Sequence, residues 1–393
     1  MKVVVAALTA PENLNGVSRH AANLVRGLLT RPEISEVHML AGDWQQRTYV
    51  DAVARQDARL HIHPVKIGRS TLRRNWWYYA ELPKVAAQLN ADIVHLAYPS
   101  PMAGKDFPCP TIVTLHDLYP FDIPDNFGLL KSAVNRQVVR QCLQSVDAIA
   151  CVSESTRKQL ARWLGAHITE KAFTVPNSVE PIPSSCARAP KPLHKNQPFL
   201  LCVAQHRRNK NIPLALEIFE QSLRTGAIAP ETQLAVVGVS GPETETIERR
   251  IRSARLERCV VILSGISDSE LQWCYRNCEL LLAPSIVEGF GLPVVEALLA
   301  GCKVVCSDIA AFREVGTEGC RYVQLGDGEL DRFTTAVGEM RKTARILPVS
   351  MPWLSASVIA EKYIILYRRL QTRPVSQSYG TVRVSRIGSG DGV

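Results

Sequence analysis

Two glutamates separated by seven residues stand in Ala283-Pro-Ser-Ile-Val-Glu288-Gly-Phe-Gly-Leu-Pro-Val-Val-Glu296-Ala-Leu-Leu-Ala-Gly301. An ionised carboxylate only accepts hydrogen bonds, so each can take the hydroxyls that a sugar or a ribose offers. The surrounding residues predict how the two acids are held. Leu280–Ala283 is a compact apolar run suited to a strand. Gly289 and Gly291 bracket Phe290 in a turn, and Pro293 suits the first turn of a helix. Glu288 then falls in the loop and Glu296 about one turn into the helix. The free N–H groups of that helix start face whatever lies beside the loop, and the glycines let backbone approach a ligand closely.

The segment resembles the signature of the retaining glycosyltransferases of the GT-B fold, family 4: E-x(7)-E with Gly-Phe-Gly after the first acid. Ser285 and Gly301 suit the same pattern. The resemblance implies an α/β protein with two Rossmann-like, doubly wound domains facing a central cleft. It places Glu288 on the donor sugar hydroxyls and Glu296 on the nucleoside ribose, with Gly289, Phe290, Gly291 and Leu292 forming the donor loop. The basic loop Gln205-His-Arg-Arg-Asn-Lys-Asn211 is similar to one in which the family holds a pyrophosphate with an Arg and a Lys. Lys210 and Asn211 match its Lys-Asn pair. The usual arginine position falls on Gln205, so Arg207 or Arg208 must substitute. Gly16, in the first strand–helix loop, corresponds to a glycine offered to the donor phosphates or the acceptor. His116, in His116-Asp117-Leu-Tyr-Pro120, corresponds to a histidine that approaches the donor sugar. It is expected to donate a hydrogen bond to a sugar hydroxyl or to orient the acceptor, while Asp117 holds the next turn and His95 packs. Asp147–Ser155 and Arg313-Glu314-Val315-Gly316 also match, and are expected to shape the crevice.

A departing nucleoside diphosphate needs its charge stabilised. No D-x-D motif for a divalent metal occurs; Asp268-Ser-Glu270, beside a helix start, comes nearest. The expectation is therefore a metal-independent reaction without cofactor, its cations supplied by the protein. No acid pair of the kind a retaining glycosidase uses as nucleophile is evident. Same-face attack on an oxocarbenium-like centre is expected instead. The mannosyltransferase-like motifs favour GDP-mannose over UDP-sugars, with a glycan or lipid-linked oligosaccharide as acceptor in surface polysaccharide synthesis.

The elements that must carry these residues alternate short apolar strands with amphipathic helices, the pattern of a parallel sheet covered on both faces. Strands are expected at Val3–Leu8, Val37–Ala41, Leu60–Val65, 91–97, Thr111–Leu115 and Ala148–Val152. Helices are expected at Arg19–Leu29, Asn75–Leu89, Lys131–Ser145 and Ser155–Leu164. Alternation breaks at the proline-rich stretch 181–198, read as a linker, and resumes at Phe199. The division is then 1–180 for the acceptor domain and 199–353 for the nucleotide-sugar domain. An amphipathic helix at 354–371 crosses back to complete the first, and a Ser/Gly-rich tail at 374–393 is expected to be disordered.

With 393 residues and 46% hydrophobic content, the chain can build two cores. A net charge of +9 suggests anionic partners, but no Lys/Arg block concentrates it, which argues against nucleic acid. Eleven cysteines without a C-x-x-C pair fit a reducing cytoplasm. The N-terminal apolar run reads as a first buried strand, and no segment is long enough to span a membrane. Arg69, Arg73, Arg74, Trp76, Trp77, Tyr78, Tyr79 and Lys84 mix basic and aromatic residues. They fit either peripheral contact with an anionic membrane at the inner face of the plasma membrane or a helix whose aromatics enter the core. Other classes were weighed: a nucleotide-sugar epimerase, a catalytically silent glycan- or nucleotide-binding scaffold, and a dehydrogenase. The last is disfavoured because no G-x-G-x-x-G follows the first strand.

Overall fold

In the computed structural model, which describes residues 1–12, 15–53, 57–123, 129–181, 187–191, 193 and 197–372, the apolar runs assemble into two sheets. The first contains β1 (Lys2–Ala6), β2 (Glu36–Gly42), β3 (Leu60–Val65), β4 (Ile93–Leu96), β5 (Thr111–Leu115), β6 (Ala148–Cys151) and β7 (Ala172–Thr174). Their order is β3-β2-β1-β4-β5-β6-β7. The second contains β8 (Phe199–Val203), β9 (Gln233–Val237), β10 (Val260–Leu263), β11 (Leu281–Ala283), β12 (Val304–Ser307) and β13 (Cys320–Val323), in the order β10-β9-β8-β11-β12-β13. The described pairings are parallel. Each sheet reverses its strand order beside its first strand, and the crevice outside the strand ends at such a point is where ligands bind. Val3, Val4 and Val5 are all fully buried, as a strand covered on both faces requires.

Each lobe has a core cluster on either side of its sheet. The last helix, Ala356–Gln371, belongs to the first lobe. Its Ile359, Tyr363, Ile364 and Tyr367 share a cluster with β1, β2 and the helix Gly16–Leu28. Gly27 lets the two helices meet closely: a Cβ there would lie 2.8 Å from the carbonyl oxygen of Ala356.

Several sequence expectations need correction. Gly16 starts the first helix instead of lying in a loop before it, because Asn15 caps the helix one residue earlier, accepting from the Ser18 amide. The expected helix 75–89 is longer and broken: it runs through Thr71–Trp76, a π-helical turn at Trp77–Glu81 and Leu82–Gln88. Its aromatics divide, so neither of the two readings covers all of them. Trp77 and Tyr78 enter the core, while Trp76 and Tyr79 stay exposed. Short helices at Gln46–Val53, Tyr119–Asp122 and Ala310–Val315 went unanticipated, as did the edge strands β7 and β13 and the helix Glu329–Lys342. Tyr119–Asp122, Ala310–Val315, β7 and β13, at three to six residues, hold too few turns or alternations to show a period; Gln46–Val53 and Glu329–Lys342 are longer, and shortness does not account for them. Part of the proposed linker, at 182–186, 192 and 194–196, and the tail 374–393 lie outside the described residues.

Candidate active site

The basic loop and the first glutamate meet. After β8 the chain makes a tight turn, Arg208–Lys210, and enters the helix Ile212–Arg224 through Asn211 at φ +52°. Asparagine tolerates this left-handed conformation better than most residues, so Asn211 serves the turn itself. After β11, Ser285 and Glu288 curl toward the same spot. The ammonium of Lys210 lies 2.7 and 2.6 Å from Oε1 and Oε2 of Glu288, and the Ser285 hydroxyl donates to Oε1 at 2.8 Å. Both side chains are largely withdrawn from water, at 18% and 9% exposure. An ion pair so placed is weakly screened, and removing one partner strands the other. Arg207 and Arg208 act electrostatically on Tyr119 of the first lobe, as do Asp117 and Glu243 with the opposite sign. Lys210 pairs with Glu288, and the arginines act electrostatically on Tyr119 in the His116–Pro120 turn.

Glu296 is elsewhere in the cleft. Gly291, at φ +97°, ends the loop that follows Glu288, and the helix Leu292–Leu299 begins with Pro293 in its first turn. Glu296 accepts a 2.8 Å hydrogen bond from the Tyr275 hydroxyl. Burial raises its pKa above the usual carboxylate value, with Tyr275 and Arg19 pulling the other way. It lines an inter-lobe cavity of about 570 Å³ together with Gly16, Arg19 and His20 from the first lobe and Asp268, Tyr275 and Leu292 from the second. That volume suits a small-molecule ligand. Across its mouth Arg19 binds Asp268, at 2.5 Å. Gly16 faces Leu292 with no atom closer than 4.0 Å to where a Cβ would stand, so packing does not demand glycine here.

His116 follows β5, and its Nε2 lies 2.9 Å from the carbonyl oxygen of Ala97. A carbonyl only accepts, so Nε2 carries the proton and donates. Burial holds the pKa of His116 below the ordinary value, so the ring is neutral. Nδ1 is then an acceptor. With Nε2 committed to Ala97, this tautomer leaves His116 only an acceptor, Nδ1, for any further partner, and no ring N–H to donate to a sugar hydroxyl.

A chain of neutral groups lies beneath it. His20 stands edge-on to His116, ring centroids 4.8 Å apart. Its Nδ1 donates to Asn177 Oδ1 at 2.9 Å, which leaves Nε2 to accept from the Thr114 hydroxyl at 3.1 Å. Thr114 has one proton, so His95 Nε2 donates to it at 2.8 Å and His95 Nδ1 accepts from the Tyr367 hydroxyl at 2.6 Å. Burial lowers the pKa of His20 well below normal and that of His95 to about 3. The packing role expected of His95 is what this chain gives it.

The sequence-derived candidates thus form two groups. Lys210, Glu288, Gly289 and His116 converge on one end of the cleft, with Arg207 and Arg208 at its edge. Gly16, Leu292 and Glu296 line the cavity, and Phe290 is buried as part of the second core. Sequence reasoning missed Arg19, His20, Asp268 and Tyr275. In the sequence Asp268 stands out only as part of the nearest approach to a metal motif. Arg19 stands three residues after Gly16, a spacing that places it one turn on along the same helix face.

Comparison with known proteins agrees with this architecture. Residues 14–181 match the family model "Glycosyltransferase Family 4", and residues 186–323 match "Glycosyl transferases group 1". The chain belongs to the GT-B glycosyltransferases, family 4-like, and is a glycosyltransferase. Among curated relatives it is 24% identical over 332 residues to O-antigen chain mannosyltransferase B of Escherichia coli, covering 80% of this chain and 84% of that one. It is 25% identical over 220 residues to a GDP-mannose-dependent alpha-(1-6)-phosphatidylinositol monomannoside mannosyltransferase of Mycolicibacterium smegmatis, covering 53% of this chain and 56% of that one. In fold it resembles sucrose-phosphate synthase of Thermosynechococcus elongatus, with a TM-score of 0.66 at 16% identity over 94% of this chain and 98% of the other. These matches do not favour the epimerase or silent-scaffold readings.

Proposed function

We propose that this enzyme transfers mannose from GDP-mannose, with retention of anomeric configuration, to a glycan or lipid-linked acceptor of a surface polysaccharide. The observation that carries the reading is the convergence of Lys210, Glu288 and the His116 turn at one end of the cleft, with a separate cavity beside Glu296 for a nucleoside. Glu296 and Tyr275 present hydrogen-bonding groups to the ribose. Glu288 receives sugar hydroxyls, and Nδ1 of His116 accepts one more. As the glycosidic bond lengthens, negative charge grows on the diphosphate. Lys210, with Arg207 or Arg208 at the loop edge, neutralises it, and the start of the helix at Gly16 adds a positive dipole end. The diphosphate then competes with Glu288 for Lys210, which frees the carboxylate for the sugar. The acceptor hydroxyl attacks from the face the diphosphate leaves. We propose that these cations suffice without a divalent metal.

The mannosyl donor rests on the names of the relatives. A panel of GDP, UDP and their sugars in a thermal-shift assay, followed by turnover with and without a chelator, tests both points. A ligand bound only by the folded state raises the melting temperature. Stabilisation by UDP-sugars alone rejects the donor, and turnover abolished by the chelator rejects the metal-free scheme.

We also propose that the acceptor is reached at an anionic membrane surface. Among the described residues no helix is long and apolar enough to cross a membrane. Leu72, Trp76 and Tyr79 are exposed on the helical stretch 71–81, at 82%, 59% and 51%. Arg69, Arg73 and Lys84 stand close to them in the chain, all exposed. Apolar side chains flanked by cations suit the boundary of an anionic bilayer.

A further inference from the structure

Two stretches with no assigned chemistry, Ser153–Ser155 and Arg313–Gly316, touch each other across the cleft. Ser153 caps the helix Glu154–Leu164 of the first lobe. Its first amides do not end in water. The amide of Glu154 donates to Oε1 of Glu314 at 2.7 Å, and that of Ser155 to Oε2 at 3.1 Å. A carboxylate of the second lobe thus closes the positive end of a first-lobe helix, a favourable placement for a negative charge. The side chain of Glu154 is occupied elsewhere, by Arg157 and Thr174.

The same helix start grips the donor loop. The Ser153 hydroxyl donates to the carbonyl of Gly289 at 2.5 Å, and the Thr156 hydroxyl donates to the same oxygen at 3.1 Å. Gly289 is the residue after Glu288. Two residues further on, Gly291 lies against Phe312: a Cβ there would be 2.9 Å from the ring. Phe312 and Glu314 share the helix Ala310–Val315. That helix is braced by Arg313, which binds Asp308 through two contacts at 2.7 and 2.8 Å and lies 3.9 Å over the Tyr322 ring. The loop from Glu288 to Gly291 is therefore held at one end by the first lobe and at the other by the helix that itself clasps the first lobe.

We propose that Ser153, Thr156 and Glu314 are positioning residues that dock the Glu288 loop against the first lobe, so that Glu288 meets the donor sugar only when the lobes are clasped. This rests on the assignment of Glu288 to the donor sugar. The dock acts through the carbonyl of Gly289 and touches neither nucleotide nor reacting atoms. Displacements of about 1 Å at a reacting centre cost on the order of 100-fold in rate.

The test uses the full chain with Ser153→Ala/Thr156→Val and with Glu314→Gln, and Thr156→Ser as the variant that keeps the hydroxyl. Steady-state kinetics, nucleoside-diphosphate affinity and hydrogen–deuterium exchange of the segment 286–291 are read together. The expected result is a fall in kcat of roughly 10- to 100-fold, with donor KM and nucleotide affinity within about threefold. Exchange at 286–291 speeds up while that of β8 and β9 does not change. Thr156→Ser retains most of the wild-type kcat. Unchanged kcat with unchanged exchange overturns the dock. So does a loss of kcat, affinity and melting temperature together, which would mark a merely structural contact. If the wild-type chain turns over no nucleotide sugar, the reading of the site fails, and the dock is judged by exchange alone: faster at 286–291 supports it, unchanged rejects it.

Discussion

Gly289 presses its backbone against His116: a Cβ on Gly289 would stand 1.7 Å from the carbonyl oxygen of His116. The two residues lie in different lobes, so glycine at this position decides how closely the lobes approach. Real contacts never come this close, and backbone cannot bend away as a flexible side chain does. Gly289→Ala should separate the two lobes at this point while leaving each core intact. We expect kcat to drop at least about 100-fold with the melting temperature little changed. Steady-state rates beside a thermal melt check this, and near-normal turnover would show that the contact has no part in catalysis.

Lys210 is paired with Glu288 and is proposed to meet the diphosphate. Lys210→Ala removes both roles. Turnover should fall by roughly 10²–10⁴-fold, the scale of lost transition-state electrostatics in a water-poor site. The variant should also melt lower, because Glu288 keeps its burial and loses its cation. Glu288→Gln in the same background should recover melting temperature without recovering activity. The two readouts separate charge balance from catalysis.

Glu296 gives a pH signature. Burial raises its pKa in the folded chain above the ordinary 4.5. The folded state then binds the proton more tightly than the unfolded one, so stability declines as pH rises from about the ordinary value through the raised one. Glu296→Gln cannot ionise. Its melting temperature should gain on the wild type across that window while nucleotide affinity falls. Melts at a series of pH values, with the difference independent of pH, would refute the assignment of burial as the cause.

The histidines beneath the cleft have the opposite sign. His20, His95 and His116 are all held neutral, with pKa values below the ordinary 6.5. Their unfolded forms take up protons first, so stability should decline as pH falls below about 6.5. The hydrogen-bond chain from Tyr367 to Asn177 needs every ring neutral, and a proton on His20 or His95 turns an acceptor into a donor that faces a donor. His95→Gln should weaken the pH dependence between 6.5 and 4 while lowering stability at neutral pH. Chemical denaturation at several pH values measures both.

The exposed side chains of residues 72–79 predict membrane behaviour. The wild-type chain should float with vesicles rich in anionic lipid at low salt and stay down with neutral ones. Trp76→Glu/Tyr79→Glu should abolish flotation while leaving transfer to a water-soluble acceptor unchanged. Equal flotation by the double variant would remove this surface from the acceptor scheme.

Much of this protein was legible from its chain. Strand positions follow from short apolar runs whose residues are mostly buried, and a helix start from a capping residue such as Ser153, which acts on a neighbour three positions away. Glu288, Lys210 and His116 stood out because each sits in a short stretch that resembles a motif of the family, and such a motif lies within about a dozen residues of chain. These are local signals, and local periodicity expresses them directly.

Contacts across the fold were not legible. Lys210 and Glu288 are 78 positions apart, Arg19 and Asp268 are 249 apart, and Glu314 caps a helix 160 positions before it. Nothing in either local stretch names its partner. The tautomer of His116 depends on the carbonyl of Ala97, just past the neighbouring strand β4, and the raised pKa of Glu296 depends on what covers it. Composition and spacing determine which groups this chain can offer, because they act along the backbone. Which of them meet, and in what protonation state, is decided by the two lobes brought together, because burial and partnership are properties of the packed volume.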